Sequence, residues 1–149
     1  MRLYHRVPSP PRAIPLVLLS GSLLLRLWLA VSQAQVTTAI TPDGSLGTAV
    51  TRNGNIYAIT GGTRPENGPN LFHSFDRFSV GKGDTASFTS KQTGIKNILS
   101  RVTGGQRSDI DGQLRTDGQL RSEGASLYLL NPAGVLFGPR CPFHKFIVS

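Results

Sequence analysis

From Gln35 to Pro139, short runs of strand-forming residues alternate with turn-forming residues, and this rhythm constrains the fold more than any other feature. The runs are rich in Val, Ile, Thr, Phe and Leu, and Gly, Asn, Asp and Pro separate them at close intervals. No long run of residues has the spacing of an amphipathic helix in this part of the sequence. The pattern therefore predicts an all-β fold, which is a sandwich, a barrel or a β-solenoid.

Turn signals divide this region into predicted strands and loops. Asn53-Gly54 accepts positive φ angles easily and predicts a hairpin near the start of the region. In residues 71–80, aromatic side chains recur every three positions, and this spacing predicts a helical turn or an irregular corner that leads into a strand. The predicted strands are residues 48–51, 55–60, 86–89, 98–102, 127–130 and 135–137, and residues 61–69 are a predicted loop.

The pentapeptide Asp-Gly-Gln-Leu-Arg occurs twice, at residues 111–115 and 117–121. One interpretation is a series of short strands stacked around a coil, with each leucine pointing inward. The alternative is a duplication inside one loop, and the sequence leaves both open. Residues 127–130 and 135–137 are continuous apolar runs, which are typical of strands covered on both faces. Sandwich strands would alternate more strictly, so a β-solenoid is favoured.

The first 34 residues have the pattern of a signal peptide. Several basic residues precede an apolar run over residues 14–30, and Ser32-Gln33-Ala34 supplies the small residues that signal peptidase requires. A membrane anchor is the alternative, but the run is short for a spanning helix, and Pro15 and Arg26 interrupt it. We therefore predict a signal peptide over residues 1–34, with cleavage after Ala34.

Charge and cysteine content exclude several classes of protein. The formal net charge is +8, but residues 1–34 hold four basic residues and no acidic one, so the mature chain carries +4. Its basic residues are scattered singly without interleaved aromatic residues, which does not support nucleic-acid binding. Cys141 is the only cysteine, so an internal disulfide is impossible and packing must hold the fold.

No catalytic constellation, metal site or cofactor site is predicted. Asp109, Asp111, Asp117 and Glu123 could form a calcium site or a carboxylate pair on stacked turns. Each lies in a turn context, however, where Asp bonds its own backbone, and turn chemistry is favoured. His73 has no nucleophile nearby in the sequence and is predicted to be a packed histidine. The chain is therefore not expected to be an enzyme.

Asn131-Pro132-Ala133-Gly134 is the clearest turn motif. Pro132 fixes φ for the second position of a turn, Asn131 can bond its own backbone, and Gly134 can adopt a left-handed conformation. Spacing alone predicts a tight corner between the two apolar runs.

Together, these motifs resemble the filamentous haemagglutinin N-terminal domain, which is the two-partner secretion domain of large exoproteins. Their residues are most similar to those of cyanobacterial members. The resemblance covers residues 35–139. Asn131, Pro132 and Gly134 match the family's Asn-Pro-Asn-Gly turn, whereas Ala133 replaces an asparagine suited to the left-handed region. The second Asp-Gly-Gln-Leu-Arg copy looks like an insertion relative to the family. Four ordered stretches carry the resemblance, namely residues 70–75, 97–105, 110–112 and 129–139.

The resemblance implies a right-handed parallel β-helix with an antiparallel N-terminal cap. It also implies export by the Sec translocon, cleavage by signal peptidase, and recognition in the periplasm by periplasmic modules of an outer-membrane β-barrel transporter. The product would be secreted or surface-associated, as an adhesin or haemagglutinin, in a Gram-negative, cyanobacterial-like bacterium. The residues expected to serve as structural turns or transporter contacts are Asn70, Leu71, Phe72, Asn131, Pro132 and Gly134.

The alternative function is that of a stand-alone secreted β-solenoid, which binds carbohydrate or host and cell-surface glycans. A third hypothesis is a β-helix lyase that uses Asp111 and Asp117. Residues 140–149 fit neither the strand rhythm nor the family, so we expect a truncated chain with a frameshifted or prematurely ended tail. The length of 115 mature residues suits four or five solenoid coils without a closing cap, which also predicts an incomplete chain.

Overall fold

The computed structural model describes residues 35–139 and the backbone of Phe146–Val148. The predicted signal peptide and Cys141 lie outside these residues. No helix among the described residues is long and apolar enough to cross a membrane. A single 3-10 turn, Pro65–Asn67, and one short helix accompany the strands within them. The elements are β1 (Ala39–Pro42), β2 (Thr48–Asn53), β3 (Ile56–Gly61), β4 (Asn70–Ser79), β5 (Thr85–Ser90), β6 (Asn97–Val102), β7 (Ser108–Ile110), β8 (Gln113–Gly118), α1 (Gln119–Ser122), β9 (Ser126–Leu130), β10 (Val135–Phe137) and β11 (Phe146–Val148).

The chain winds through three sheets in the same order three times. The first coil runs through β3 and β4 and ends at Val80, which forms a parallel bridge with Ile110 of β7. The second coil is β5, β6 and β7, and the third is β8, β9 and β10. Equivalent strands pair in parallel, with orders β3-β5-β8, β4-β6-β9-β11 and β7-β10. Each coil takes about 28 residues, within the range of solenoid repeats. The predicted all-β solenoid class is confirmed.

The N-terminal strands run the other way and cover the first coil. β1 pairs antiparallel with β4, and β2 forms an antiparallel hairpin with β3 in which Asn53 lies opposite Ile56. The predicted hairpin and the antiparallel cap are both present. The right-handed sense of the coil remains an expectation, which the strong preference for right-handed parallel crossovers supports.

Side chains in register from successive coils build the core. Leu71, Ile98 and Leu127 occupy one row of the five-stranded sheet, and each is no more than 2% exposed. Phe78 stacks on Phe88 of the four-stranded sheet with ring centroids 6.1 Å apart, which joins the two sheets across the interior. Because equivalent positions stack, each coil buries its apolar residues only when its neighbour is present.

The helical turn predicted within residues 71–80 is wrong, because β4 is a continuous ten-residue strand. Thr41 pairs with Arg77 but Pro42 pairs with Phe75, so Asp76 is an extra residue in a β-bulge. The bulge shifts the inward-facing positions by one residue. Phe75 and Phe78 are therefore both buried although three positions separate them, and the spacing imitates a helix.

The two Asp-Gly-Gln-Leu-Arg copies adopt different structures. The first copy provides the turn and the start of β8, whereas the second ends β8 and forms α1. Both leucines are buried, since Leu114 is 6% exposed and Leu120 is fully buried. The second copy therefore lengthens the corner between β8 and β9 and does not add a coil.

The apolar run of β9 is covered on one face only. Leu127 and Leu129 are buried, but Leu130 is 39% exposed and Tyr128 is half-buried. The prediction that this run and that of β10 are covered on both faces is wrong, since Leu136 of β10 is 53% exposed. The outer faces of both sheets point toward solvent at these positions.

The segment Phe146–Val148 adds a strand that the sequence pattern did not predict. Its backbone runs parallel to β9, with Ile147 opposite Tyr128. This strand is the fifth of the five-stranded sheet and continues it in the direction in which the coils stack. The frameshift proposed for residues 140–149 stays a prediction.

Candidate functional site

The Asn-Pro-Ala-Gly corner directly follows β9 and is pinned to the corner of the preceding coil. The Nδ2 group of Asn131 donates to the Gln106 carbonyl and to Ser108 Oγ, both at 2.9 Å. Its Oδ1 accepts from the Ala133 amide at 2.9 Å, and Gly134 N donates to Asn131 O at 2.9 Å. Asn131 is 4% exposed, so every polar group of this buried side chain has a partner. The corner is a structural clamp between coils.

Ala133 does not occupy the left-handed position of this corner. Gly134 has φ +98°, whereas the non-glycine residues with positive φ among the described residues are Glu66 and Asn67. Ala133 replaces an asparagine suited to the left-handed region, but the backbone at residue 133 is not left-handed, so the replacement causes no backbone strain. The turn places that conformation one residue later, where glycine adopts it without steric cost.

Restoring asparagine at Ala133 should leave stability nearly unchanged. Ala133 is exposed and its backbone is not left-handed, so we expect A133N to shift the free energy of unfolding by less than about 0.5 kcal/mol. Urea denaturation of both proteins measures this difference. A gain above about 1 kcal/mol would show that the asparagine makes a bond that alanine cannot.

The predicted residues Asn70, Leu71 and Phe72 take three different roles. Asn70 Oδ1 accepts a hydrogen bond from Asn97 Nδ2 of the next coil at 2.8 Å. Leu71 is 1% exposed and belongs to the core. Phe72 points to the outer face, where it lines a groove. Of these three residues, only Phe72 is placed to contact a partner through its side chain.

An apolar groove of about 430 Å³ lies on the outer face of the five-stranded sheet. Its strand residues come from successive coils, since Phe72 pairs with Leu99 and Arg101 pairs with Leu130. Leu130 immediately precedes Asn131, so β9 connects this groove to the Asn-Pro-Ala-Gly corner. Only the register of the coils brings these residues together, which is why sequence reasoning missed Leu99, Arg101 and Leu130. The groove is lined by Leu46, Thr63, Pro65, Phe72, His73, Leu99, Arg101 and Leu130.

A hydrogen-bond network fixes the polar end of the groove. Arg101 donates to Ser74 Oγ at 2.8 Å and to Ser45 Oγ at 3.1 Å. Asp43 accepts from Ser74 Oγ at 2.5 Å, from Ser45, and from Thr103 Oγ1 at 3.0 Å. Partial burial raises the pKa of Asp43, but the hydrogen bonds from Ser74, Ser45 and Thr103 outweigh it and hold the pKa well below its usual range. The loop before β2 is therefore tied to β4 and β6.

His73 forms the inner wall below this groove, and its one hydrogen-bonding neighbour among the described residues is the buried Thr48 hydroxyl. It is 1% exposed, its Nδ1 lies 3.2 Å from Thr48 Oγ1, and its ring meets Phe88 edge-on at 5.5 Å. Burial lowers the pKa of His73 to about 4, so the imidazole is neutral at pH 7. The prediction of a packed histidine is confirmed.

The acidic residues weighed as a calcium site or carboxylate pair do not converge. Asp109 pairs with Arg107 at 2.8 Å, and Asp117 pairs with Arg115 at 3.0 Å on a different sheet. Glu123 Oε1 accepts from the Gly94 amide at 2.7 Å. Within residues 35–139, no three His, Cys, Asp or Glu side chains lie close enough together to hold a metal ion. Asp109 and Asp117 lie in β7 and β8 and form ion pairs, so the turn role expected for them is wrong. Asp111 Oδ1 and Glu123 Oε2 are buried without a hydrogen-bond partner.

Comparison with known proteins identifies the family of this scaffold. A family model described as the TPS secretion domain matches residues 38–141. This span covers all three coils and includes the Asn-Pro-Ala-Gly corner. No curated protein matches the sequence.

Proposed function

Because this chain belongs to the TPS secretion domain family, we propose that residues 35–139 direct export of an exoprotein by being recognised by an outer-membrane transporter. Two-partner secretion pairs such a domain with a dedicated transporter in Gram-negative bacteria, and the exoprotein is secreted. The family match over residues 38–141 is the observation that carries this proposal.

The apolar groove is the surface that fits such recognition best. It offers Phe72, Leu99 and Leu130 around one cation, Arg101, and partner-binding surfaces characteristically combine apolar anchors with arginine. An extended segment of a periplasmic transporter module could pack its apolar side chains there. Main-chain hydrogen bonds to a sheet edge, such as the open side of β2, would add affinity.

Export should depend on the partner transporter and on the groove. With a reporter fused after Pro139 and the transporter co-expressed, we expect L130S to lower the secreted reporter about fivefold, which corresponds to about 1 kcal/mol of lost binding. Leu130 is already 39% exposed, so the change should cost little stability.

The matched control is L136S, because Leu136 is 53% exposed on the outer face of the same coil but does not line the groove. Its secretion should stay close to that of the unchanged chain. Secretion that persists without the transporter would contradict transporter recognition. An equal loss in L130S and L136S would contradict the assignment to the groove.

We further propose that the Sec translocon exports the chain, that signal peptidase cleaves it after Ala34, and that residues 35–139 form the domain. The apolar run over residues 14–30 and the small residues before Gln35 support this step. We also propose that the exoprotein acts as an adhesin that binds glycans and has no catalytic activity. Its source is proposed to be a cyanobacterial-like bacterium. The stand-alone carbohydrate-binding solenoid differs from this proposal in one testable respect, since such a protein would not need the transporter.

A further inference from the structure

We propose that Asn53 is a site of spontaneous covalent modification, at which the asparagine converts to aspartate and isoaspartate. Asn53 is the last residue of β2, and Gly54 follows it at the tip of the hairpin that caps the first coil. Asparagine followed by glycine is the pair that reacts in this way most readily, because glycine has no side chain to shield its amide nitrogen. The inference concerns the cap and does not depend on recognition by the transporter.

The reaction needs only water and proceeds through a cyclic imide. The backbone nitrogen of Gly54 attacks Cγ of Asn53 and loses its proton, and the side-chain nitrogen leaves as ammonia. Water then adds to one of the two imide carbonyls. Addition at Cγ breaks the new Cγ–N bond and gives aspartate, whereas addition at the backbone carbonyl carbon breaks the original C–N bond and gives isoaspartate. In both cases asparagine and water become an acid and ammonia.

The structure leaves the reacting atoms of this pair accessible. Asn53 and Gly54 are both exposed, and a methyl group at Gly54 would have no heavy atom beyond its chain neighbours within 4 Å. Among the described residues, no group bonds to the Asn53 side chain, and the Gly54 amide nitrogen has no acceptor. Arg52 Nε donates to the Gly54 carbonyl at 3.0 Å, which holds the turn without engaging that nitrogen. The nitrogen is therefore free to attack Cγ of Asn53.

The second Asn-Gly pair of the sequence, Asn67-Gly68, is protected by hydrogen bonds. Asn67 is exposed, as Asn53 is, but the Gly68 amide nitrogen donates to the Pro65 carbonyl at 2.8 Å. The Gly68 carbonyl also accepts from Arg64 Nε at 2.6 Å, so this glycine is held on both sides. Its nitrogen must break a hydrogen bond before it can attack, which makes Asn67 the less reactive of the two asparagines.

The Asp-Gly pairs form the same imide only from a protonated acid, and the structure disfavours that route. Asp43 is held as a carboxylate by the hydrogen bonds described above, and Asp117 is held by its ion pair. Gly112, which follows Asp111, donates its amide nitrogen to the Val80 carbonyl at 3.0 Å. Asn53-Gly54 is therefore the pair of this kind that is best disposed to react within residues 35–139.

Isoaspartate at residue 53 lengthens the main chain where the hairpin turns. Gly54 and Asn55 form a two-residue turn between Asn53 and Ile56, which pair with each other. The extra main-chain carbon alters the spacing on which this pairing depends, whereas aspartate leaves the main chain unchanged. Asn55 Nδ2 also donates to the Gly83 carbonyl at 2.9 Å, so the same turn ties the cap to the loop before β5. The modification therefore loosens the tip of the cap.

Ageing of the purified full chain in mildly alkaline buffer tests the proposal, with fragmentation mass spectrometry to follow each asparagine separately. We expect Asn53 to react first and to give isoaspartate among its products. Asn67 of the same chain is the internal control and should react about fivefold more slowly, which corresponds to about 1 kcal/mol for the bond that Gly68 must break. In urea, where the fold protects neither residue, the two rates should become similar.

Two variants separate the chemistry from its consequence. N53Q should stay unmodified at residue 53, because glutamine would have to form a larger ring. The aged chain carries one more negative charge and is isolated by ion exchange, and its urea midpoint should be lower than that of N53D, which has the charge without the extra carbon. The proposed site would be overturned if Asn53 stayed intact in the folded chain while it reacted in urea, or if Asn67 reacted as fast in the folded chain. Equal midpoints of the aged chain and N53D would contradict the loosening of the cap.

Discussion

The H73L variant should lose far less stability between pH 7.5 and pH 4.5 than the unchanged protein does. Burial lowers the pKa of His73 from 6.5 to about 4 in the folded state. Between these two values the unfolded chain binds a proton that the folded chain does not. The contribution of the neutral histidine is therefore complete above pH 6.5 and declines as the pH falls toward 4. The full shift corresponds to about 3 kcal/mol.

Within residues 35–139, other groups interfere little in this pH window. His73 is the one histidine among the described residues, and its ring faces Thr48, Phe75 and Phe88, none of which titrates. The pKa of Asp43 is lowered from 3.8, so its stabilising effect declines only below about pH 4. Thr48 Oγ1 keeps a partner in H73L, because it also accepts from the Ser74 amide at 3.2 Å.

Urea midpoints of both proteins at the two pH values measure the effect. The relevant quantity is the change in the free energy of unfolding between pH 7.5 and pH 4.5, because leucine also changes the packing, and therefore the stability, at every pH. D43N should be less stable at both pH values, because the hydrogen bonds to the carboxylate are weakened, but its stability should change between pH 7.5 and pH 4.5 by as much as that of the unchanged protein. Equal losses of stability in H73L and the unchanged protein would contradict the assignment to His73.

The second large effect is expected from N131A, which should lower the free energy of unfolding by about 2 kcal/mol. The change removes the two bonds that the amide donates and leaves the buried Ser108 Oγ and the Gln106 carbonyl without this partner. N131D should cost at least as much, because a carboxylate cannot donate to the Gln106 carbonyl. The corner would then lose its attachment to the preceding coil.

N55A is the control for this change. Asn55 is exposed and its amide donates one bond, to the Gly83 carbonyl, so its removal should cost less than about 1 kcal/mol. Equilibrium denaturation with urea compares the three variants. A cost for N131A no larger than that for N55A would show that solvent replaces the lost bonds and that the corner is not a clamp.

Local sequence patterns predicted the strands well where local chemistry decides them. The hairpin forms at the predicted turn signal, with Asn53 as the last residue of β2 and Gly54-Asn55 as the two turn residues, because Gly54 adopts φ +59° without steric cost. The continuous apolar runs became β9 and β10. The same patterns failed at β4, because a bulge at Asp76 is set by pairing with β1 and changes the inward-facing positions midway along the strand.

The candidate site was predicted only in part. Asn131 and Gly134 have roles that turn chemistry makes visible in the sequence, whereas the partners Gln106 and Ser108 come from the preceding coil. The apolar groove draws on residues from successive coils, and no short window of sequence contains them. Knowledge of the coil length would have been needed to align Phe72 with Leu99.

By itself, the sequence determined the all-β class, the positions of the turns and the Asn-Pro-Ala-Gly corner, because glycine, proline and asparagine act on the backbone within a few residues. Tertiary structure alone decided that one Asp-Gly-Gln-Leu-Arg copy is a strand and the other ends in a helix. Identical residues have identical local preferences, so the difference must arise from what each copy packs against. The first copy pairs in parallel with β5, whereas Leu120 of the second fills the interior from α1 after β8 has ended. Burial and pairing with neighbouring coils outweigh local preferences of a few tenths of a kcal/mol per residue, at about 1.5–3 kcal/mol for one buried leucine.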